Sequence, residues 1–471
     1  MLTTLKNLTH LAAKRSVFLG TSVVLVTTAY AAPKIASMLD LFSDPTGQVR
    51  TVSAAPADTS NPFFQSLGTN GRSCASCHAA SDGWSVTPAH LQQRFVQTAG
   101  LDPVFRPVDG AACPSADTSS VFARASAYRM LLAKGLIRVS LPVPANAEFT
   151  VLSVTDPNTV NGTPCPQTTT QQLAMFRRPL PATNLKFLSG VMWDGRETVK
   201  GESIAMDLMQ QAQDATAGHA EGTTALSDAQ LAQIVAFESA LTTAQASDEQ
   251  AGALDAKGAS GGPGALASRQ FFIGINDPLG GNPTGAAFNP EVFTEFASWA
   301  NLPGNDPTSE TRRSIARGEE IFNSRPIVIT GVAGINDQPG LSTVNGSCTT
   351  CHSTPNAGDH SVSLPINIGI GDYPATAPLD TSGLPVYTIA CNATGETYTV
   401  TDPGRAMITG KCSDIGKMKG PILRGLSARA PYFHNGSAAT LRDVVEFYNN
   451  RFNLNLTERD KQDLVHFLQA L

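Results

Sequence analysis

The sequence predicts a mostly α-helical fold that contains two similar domains and long irregular loops. Two observations lead to this prediction. The five-residue pattern Cys-x-x-Cys-His occurs twice, at Cys74–His78 and at Cys348–His352. A segment with helical spacing of apolar residues also occurs twice, at Leu226–Leu241 and at Leu456–Leu471, and each copy follows its own Cys-x-x-Cys-His pattern. Because both features repeat in the same order, we interpret the chain as a helical domain that has been duplicated internally.

The Cys-x-x-Cys-His pattern is typical of covalent c-type haem attachment. Two cysteines three positions apart lie on one face of a helical turn, where both thiols can bond to one porphyrin, and the adjacent histidine can ligate the iron. The alternatives are a redox dithiol, which needs no adjoining histidine, and half of a zinc site, which needs a second pair nearby. We therefore predict two cytochrome c-type helical haem domains. The residues that attach and ligate the two haem c groups are Cys74, Cys77 and His78 for the first, and Cys348, Cys351 and His352 for the second.

Residues 1–31 are typical of a secretory signal peptide. Three basic residues precede an apolar run from Val17 to Ala29, and Ala29-Tyr30-Ala31 supplies the small residues of a signal peptidase site. The run is short for a membrane span, so an uncleaved anchor is the less favoured interpretation. We predict a periplasmic protein that has no membrane span after signal cleavage.

The charge balance argues against nucleic acid as a partner. The chain carries 33 basic and 39 acidic residues, a formal net charge of −6. Removal of the signal peptide takes away three of the basic residues and makes the protein more negative. A negative protein is repelled by the phosphate backbone, so we expect no nucleic-acid binding.

Four cysteines lie outside the haem motifs. Cys113 and Cys165 fall in the first half of the chain, and Cys391 and Cys412 fall in the second half. An even number in each half predicts one disulfide in each, which the oxidising periplasm permits. Free buried thiols are the alternative, because the number and spacing of cysteines do not determine which of them pair.

A glycine-rich stretch divides the chain between the two motifs. Residues 251–269 contain the run Gly-Ala-Ser-Gly-Gly-Pro-Gly, a composition that favours neither a helix nor a strand. We predict a flexible linker over this stretch, with an N-terminal haem domain over residues 40–250 and a C-terminal haem domain over residues 270–471.

The two repeated segments begin with signals for a helix N-terminus. Ser227 with Gln230, and Thr457 with Asp460, have the spacing of a capping box or a near variant of one. Apolar residues then recur at intervals of three and four positions, which predicts a stripe that packs on a haem or on a neighbouring helix.

Three further segments, in order along the chain, resemble the bacterial di-haem cytochrome c peroxidase family, which includes MauG. They are Trp193-Asp-Gly-Arg196, the run Pro421–Gly436 with Pro-Tyr-Phe-His, and Thr440–Asn449. The stretch Arg177–Asn184 is similar to the arginine-proline segment of that family. Together with the two haem motifs, this order of signatures covers nearly all of the chain after the signal peptide.

The resemblance implies a division of labour between the two haems. In that family the N-terminal haem reacts with hydrogen peroxide, and the C-terminal haem is six-coordinate and transfers electrons. Carried over, His78 ligates the peroxidatic haem and His352 the electron-transfer haem. Trp193 matches the tryptophan that lies between the two haems and offers a path for electrons. The alternative is that Trp193 is an ordinary buried core residue.

The resemblance also identifies a candidate sixth ligand for the second haem. Family members place it fourteen residues after the histidine of the Pro-Tyr-x-His motif, where ordinary peroxidases have methionine and MauG has tyrosine. This chain has Tyr448 at that position. A phenolate ligand favours higher oxidation states than a thioether does and lowers the potential. Met418 and Met407 are the competing ligands.

Peroxide cleavage also needs a general acid–base group over the open face of the first haem. Relatives use a glutamate there, and this chain has Gln213 at the matching position. His219 is our first candidate for the group and Glu221 our second, with solvated loop residues as the alternative. His90 is a candidate closing ligand of the resting first haem, or an ordinary surface histidine.

Two further expectations concern the region between the domains. His434 occupies in the second half the place that Trp193 holds in the first half, which predicts a structural role near the second haem or the domain interface. The family binds calcium between its domains, so calcium is a candidate cofactor. This chain has Arg178 or Pro179 where relatives have an asparagine ligand, and that difference weakens the expectation.

These observations predict a periplasmic di-haem peroxidase, an oxidoreductase that reduces hydrogen peroxide with electrons relayed through the C-terminal haem. A small redox protein, either a cytochrome c or a cupredoxin, is the expected electron donor. A homodimer is a candidate assembly, which the sequence does not determine. A MauG-like oxidase of a protein or organic substrate is the first alternative, which Tyr448 favours. A di-haem electron-transfer cytochrome without catalytic activity is the second.

Overall fold

The computed structural model describes residues 41–55, 58–160, 162–269, 287–288, 293–352 and 365–471, so the predicted signal peptide lies outside it. Its α-helices are α1 (Pro88–Thr98), α2 (Val121–Ala127), α3 (Arg129–Lys134), α4 (Ile204–His219), α5 (Asp228–Ala240), α6 (Pro263–Ala267), α7 (Pro307–Ser324), α8 (Ala406–Thr409), α9 (Leu441–Arg451) and α10 (Glu458–Gln469). In this part of the chain, none of the helices has the length and hydropathy that a membrane span needs.

The strands form several small antiparallel sheets. They are β1 (Leu41–Asp44), β2 (Gly47–Ser53), β3 (Ile137–Pro142), β4 (Phe149–Thr155), β5 (Thr159–Val160), β6 (Thr163–Pro164), β7 (Gln172–Arg177), β8 (Leu241–Asp248), β9 (Gly252–Ala253), β10 (Ile327–Ile329), β11 (Val344–Gly346), β12 (Val386–Cys391) and β13 (Thr397–Val400). The strand orders are β1-β2-β8-β9, β13-β12-β4, β3-β7, β10-β11 and β5-β6.

The prediction of a mostly α-helical fold is wrong. Helices hold 32% of the residues and strands 18%, spread over several sheets. The error lies in segments without helical periodicity, which sequence analysis assigns to irregular loops. β12, for example, pairs with β4 from the other half of the chain, with Val386 opposite Thr155 and Cys391 opposite Phe149. What stabilises such a strand is packing against its distant partner, and this leaves little local signal in the sequence.

The two repeated helices are present as predicted. α5 begins after the N-cap Ser227 and α10 after the N-cap Thr457, and each has the predicted capping box. The apolar stripe of α5 packs with Phe63 and Trp84 in a core cluster of the first half. The stripe of α10 lies in the large core cluster of the second half, where α10 packs against α7 and α9.

Both predicted disulfides are confirmed. Cys113 bonds to Cys165, and Cys391 bonds to Cys412, with Cα atoms 5.7 and 5.9 Å apart. The first closes a loop of the N-terminal half, and the second joins the end of β12 to a 3-10 turn that begins at Cys412. The four cysteines of the haem motifs form no disulfide bond with any described residue.

The glycine-rich stretch 251–269 contains regular structure. It includes β9, which pairs with the end of β8, and the short helix α6. Leu254 between them is fully buried. The division into domains at this stretch stays a prediction.

Candidate functional site

Two large apolar cavities each contain one Cys-x-x-Cys-His motif. The first cavity is lined by Cys74, Cys77 and His78 and has an empty volume of about 1450 Å³ counted out to its opening. The second cavity is lined by Cys348, Cys351 and His352 and has an empty volume of about 1800 Å³ on the same measure. Each cavity therefore offers thiols, an imidazole and apolar walls to a large, flat, mainly apolar group.

A hydrogen bond orients the histidine of the first motif. Cys74–Ser76 form a 3-10 turn, and the backbone N–H of His78 donates to the carbonyl of Cys74 at 3.0 Å. The imidazole Nδ1–H then donates to the carbonyl oxygen of Trp84 at 2.9 Å. Burial lowers the pKa of His78, so the ring is held neutral. Because Nδ1 is engaged, Nε2 is the nitrogen left to ligate a metal.

Trp84 holds this arrangement in place and carries no motif that would have identified it. Its indole N–H donates to the hydroxyl of Thr51 at 2.8 Å, and its ring packs edge-on against Phe63 and Phe237. The backbone of Trp84 has a φ of +62°, which turns its carbonyl in the tight turn 79–85. The carbonyl that orients His78 is thus fixed by a packed aromatic cluster.

A second histidine lines the first cavity and belongs to a buried ionic network. The Nδ1–H of His219 donates to Asp109 at 2.5 Å, and Arg72 donates to the other oxygen of Asp109 at 2.6 Å. Burial would raise the pKa of Asp109, but the hydrogen bond from His219 and the charge of Arg72 together lower it. Asp109 therefore remains an anion. With its Nδ1 held by Asp109, His219 has Nε2 available to the cavity.

The other predicted candidates for the first site do not line the cavity. Glu221 is exposed and accepts a hydrogen bond from the side chain of Asn70 at 3.0 Å. Gln213 turns away and accepts from the backbone N–H of Leu226 at 2.8 Å. His90 pairs with Asp82 at 3.0 Å near the start of α1. Of the predicted acid–base residues, the structure brings only His219 to the cavity wall.

In the second cavity an aromatic side chain faces the motif histidine. His352 follows a 3-10 turn at Cys348–Thr350, and its ring centroid lies 5.9 Å from that of Phe322 and 6.5 Å from that of Tyr448. Tyr448, on α9, stacks on Phe452 with centroids 6.2 Å apart. Among the described residues its hydroxyl has no hydrogen-bond partner, and burial raises the pKa of Tyr448.

The two methionines that compete with Tyr448 lie in different places. Met418 lines the second cavity, where its backbone forms a short bridge with Ile366. Met407 lies in a separate core cluster around β4 and β12, away from both cavities. The geometry therefore leaves Tyr448 and Met418 as the residues able to reach a group bound by His352.

One wall is common to both cavities. It consists of Arg178, Pro179, Leu180, Pro181, Trp193, Lys419 and Ile422. The indole N–H of Trp193 donates to the carbonyl of Arg178 at 2.8 Å, and its ring lies 6.1 Å from that of His434. Trp193 thus lies between the two cavities rather than in the interior of one domain.

His434 is fully buried beside this wall, in a charged cluster. Its Nε2 lies 3.6 Å from Asp402, and burial lowers the pKa of His434 to about 4. It lines the second cavity. The imidazole is therefore neutral at physiological pH and fills space between Trp193 and Asp402.

The common wall also carries a buried cation that has no carboxylate partner. Arg178 donates to the backbone carbonyls of Lys134, Val86 and Arg429, and forms no ion pair with any described residue. Burial lowers the pKa of Arg178 to about 10. A haem group carries two carboxylates on one edge, so a positive charge on a residue that lines both cavities suits such a group.

The donor set therefore fits haem c in each cavity: two thiols, an imidazole, apolar walls and a cation. Calcium finds no comparable support. In the parts of the chain that the structure describes, no three His, Cys, Asp or Glu side chains lie close enough together to hold a metal. Arg178, at the position of the relatives' asparagine ligand, donates to nearby backbone carbonyls.

Comparison with known proteins gives partial matches. No protein-family model matches the chain. Cytochrome-c peroxidase IdrP1 of Denitromonas iodatirespirans is 34% identical over 151 residues, which cover 28% of this chain and 39% of the relative. Cytochrome-c peroxidase IdrP2 of the same organism is 36% identical over 146 residues, which cover 28% and 37%. The matched segment thus spans about two fifths of the length of these curated relatives.

A solved structure also aligns with the chain. The crystal structure of a MauG-like protein associated with microbial copper homeostasis covers 91% of this chain and 93% of its own, at 16% identity and a TM-score of 0.35. That score is too low to establish a common fold.

Proposed function

We propose that the chain belongs to the family of bacterial di-haem cytochrome c peroxidases and MauG, because its motifs follow the order of that family and the relatives that it partly matches are named cytochrome-c peroxidases. The protein is a periplasmic oxidoreductase with two covalently attached haem c groups. It reduces hydrogen peroxide, and two electrons and two protons convert each peroxide into two waters. A small cytochrome c or cupredoxin supplies the electrons through the C-terminal haem.

One observation supports this proposal above the others: two cavities, each with its own Cys-x-x-Cys-His motif, share a wall that contains Trp193. Electrons pass between two haems only when the haems lie close together, and an enzyme that spends electrons at one haem and receives them at the other depends on that exchange. An electron-transfer cytochrome shares this need, but it has no use for the His219–Asp109 pair at the wall of the first cavity. The indole of Trp193 supplies an aromatic bridge, and its N–H bond to Arg178 keeps the ring in the wall.

Haem iron in the first cavity would supply the reduction of peroxide, and haem iron in the second the storage and delivery of electrons. The chain supplies proton handling in the first cavity. With peroxide in the first cavity, His219 would accept a proton at Nε2 from one peroxide oxygen and return it to the other. Asp109 accepts a hydrogen bond from Nδ1, the other nitrogen of the ring. The negative charge of Asp109 stabilises the imidazolium form of His219, in which both ring nitrogens carry a proton.

The second candidate function is a MauG-like oxidase that withdraws electrons from a protein or organic substrate. Tyr448 favours it, because its free hydroxyl lies in the second cavity near His352. An oxygen ligand disfavours the reduced state of an iron relative to the thioether of a methionine. The two functions share the same cavities and differ in where the electrons come from.

The test is the reaction of the holoprotein with hydrogen peroxide. We expect a high-spin ferric signal from the first haem and a low-spin signal from the second in the resting protein. Steady consumption of peroxide with a reduced cytochrome c supports the peroxidase. A reaction of the fully oxidised protein, without any donor, supports the oxidase. Two low-spin irons together with no peroxide consumption would contradict both and leave an electron-transfer cytochrome.

A further inference from the structure

Glu238 is a buried acid of the first cavity to which the proposed function gives no role. It lies on α5, is 7% exposed, and lines the cavity together with Cys74 and His78. Its carboxyl forms no hydrogen bond or ion pair with any residue in the described ranges. Burial of an unpaired polar group costs free energy. A buried carboxyl that no protein group satisfies and that faces a cavity points to a ligand in that cavity.

The duplicated helix provides an internal comparison. Phe237 of α5 corresponds to Phe467 of α10, so Glu238 corresponds to Leu468. Leu468 is also 7% exposed and lines the second cavity. The two helices therefore present the same position to their cavities, with a carboxyl at the first and an apolar side chain at the second. Because α10 has a leucine at this position, the helix and its packing do not require an acid there.

Burial alone raises the pKa of Glu238 to about 8. Among the elements that pack against α5, α4 carries Asp207, Asp214 and His219, and the 3-10 turn Leu185–Phe187 carries Lys186. None of these charges, nor His78, contributes to the shift. The charge of Glu238 raises the pKa of the Cys74 thiol. A thioether bond to haem would remove this thiol as a titratable group, so the interaction is absent from the holoprotein.

We propose that Glu238 exchanges a proton with solvent as the first haem changes oxidation state, so that the potential of the first haem depends on pH more steeply than that of the second. This rests on the proposed function only in requiring haem in the first cavity. When an electron from the redox partner enters that cavity, the added negative charge favours the neutral carboxyl, and Glu238 takes up one proton at pH values where it is ionised beside the oxidised haem. When the electron leaves, the proton leaves. One proton then accompanies one electron, which limits the charge that the apolar cavity must hold.

The test is a spectroelectrochemical titration of both haems in the holoprotein between about pH 6 and pH 10, without peroxide. In the wild type we expect the first-haem potential to fall as pH rises, and to fall less in Glu238→Gln. The second haem, measured in the same molecule, should show equal pH dependence in both proteins. Asp228→Asn removes an exposed charge at the start of the same helix and should behave as wild type.

Glu238→Leu copies the second helix and provides a second variant if the glutamine form folds poorly, and the haem count by mass spectrometry identifies properly loaded samples. An unchanged pH dependence of the first haem in both loaded Glu238 variants would overturn the proposal. His219 and Asp109 are unchanged in every variant, so they do not produce the difference. Since no peroxide is present, a failure of peroxidase activity leaves this result unaffected, and the two proposals fail separately.

Discussion

At the scale of single residues, hydrogen bonds select which atom of each histidine faces the first cavity. His78 and His219 both donate from Nδ1, but His78 donates to the neutral carbonyl of Trp84 and His219 donates to the carboxylate of Asp109. A neutral partner fixes the tautomer of a metal ligand. An anionic partner also stabilises the ring when it holds a second proton. The same local geometry therefore suits one histidine to ligation and the other to proton transfer.

We expect Asp109→Asn to slow the reaction of the first site with peroxide about tenfold, a part of the roughly 10²–10⁴-fold that a general acid–base group contributes. Asparagine keeps an oxygen acceptor for His219 but removes the charge. His219→Gln should cause the larger loss. Stopped-flow absorption measures the peroxide reaction. It also measures the binding of cyanide, which arrives as a neutral acid and must give its proton to a base.

Asp102→Asn is the matched control for that prediction. Asp102 is a buried carboxylate that pairs with Arg94 at 2.5 Å, and it lines neither cavity. Both variants lose a buried ion pair, but only Asp109→Asn changes a residue that contacts His219. Equal slowing of cyanide binding in the two variants would mean that Asp109 acts through folding alone.

Tyr448→Met should raise the reduction potential of the second haem, because a thioether favours ferrous iron more than an oxygen ligand does. Spectroelectrochemistry of the holoprotein measures the shift. Tyr432→Phe is the control, since Tyr432 lines the same cavity but donates its hydroxyl to the carbonyl of Leu426 at 3.1 Å. If Tyr448→Met leaves the potential unchanged and Met418→Leu alters it, Met418 is the ligand.

The residues of the site differ in how far a sequence can predict them. The haem motifs follow from spacing within five residues, and Tyr448 from its distance to a recognisable motif. Arg72 and Asp109 come from separate irregular segments and meet only in the folded chain, so no local pattern identifies them. Glu238 does leave a signal, because one copy of a duplicated helix has an acid where the other has Leu468.

At the scale of elements, the same contrast separates helices from sheets. The start of α5 and of α10 depends on side chains within four residues of the N-cap, so the sequence predicts both helices to their first residue. The sheet β13-β12-β4 depends on contacts between segments in opposite halves of the chain. Local propensity is a weak guide to such pairing, and the fold class was mispredicted for this reason.

We expect Ser227→Ala to lower the free energy of unfolding by about 1 kcal/mol, the usual cost of removing an N-cap. The hydroxyl of Ser227 accepts from the backbone N–H of Gln230 at 3.3 Å and caps α5. Ser227→Gly should cost only a few tenths of a kcal/mol, because glycine leaves the amide groups accessible to water. Urea denaturation followed by circular dichroism measures both. Equal losses in the two variants would show that the hydroxyl matters for another reason.

At the scale of the whole molecule, one buried ion cluster joins the two halves of the chain next to the wall between the cavities. Arg177 contacts Asp402 at 2.7 Å and also pairs with Asp194, and all three side chains are buried. Burial would raise the pKa of Asp194, but Arg177 and Arg196 together lower it. Asp194 follows Trp193 directly, so the cluster fixes the position of the tryptophan as well as the relation of the two halves.

Asp402→Asn should lower the free energy of unfolding by about 3 kcal/mol, because it leaves the buried guanidinium of Arg177 with one anionic partner. Asp337→Asn is the surface counterpart. Asp337 pairs with Lys417 at 3.0 Å but is 39% exposed, and such pairs contribute less than about 1 kcal/mol. Denaturation of the two variants side by side measures the difference. Similar small losses in both would mean that the buried cluster does not hold the halves together.

The pH dependence of stability provides a last prediction, at Glu319 on α7. Burial, with a smaller effect of the nearby Glu295, raises the pKa of Glu319 to about 8, above its ordinary value of 4.5. The folded protein therefore holds a proton that the unfolded chain releases between these two values. The contribution of Glu319 to the free energy of unfolding is fully present below pH 4.5. It decreases as pH rises toward 8, with a slope of up to about 1.4 kcal/mol per pH unit.

Glu319→Gln should remove the contribution of Glu319 and leave that of Glu238, whose pKa burial also raises to about 8, so the slope becomes smaller and the variant gains stability relative to wild type at pH 8 and not at pH 4. Urea denaturation at a series of pH values measures the difference. Glu320→Gln changes the exposed neighbour on the same helix and should leave the wild-type slope intact. A slope equal to that of wild type in Glu319→Gln would mean that this carboxyl is ionised in the folded protein, held by the charge of Arg424 rather than kept neutral by burial.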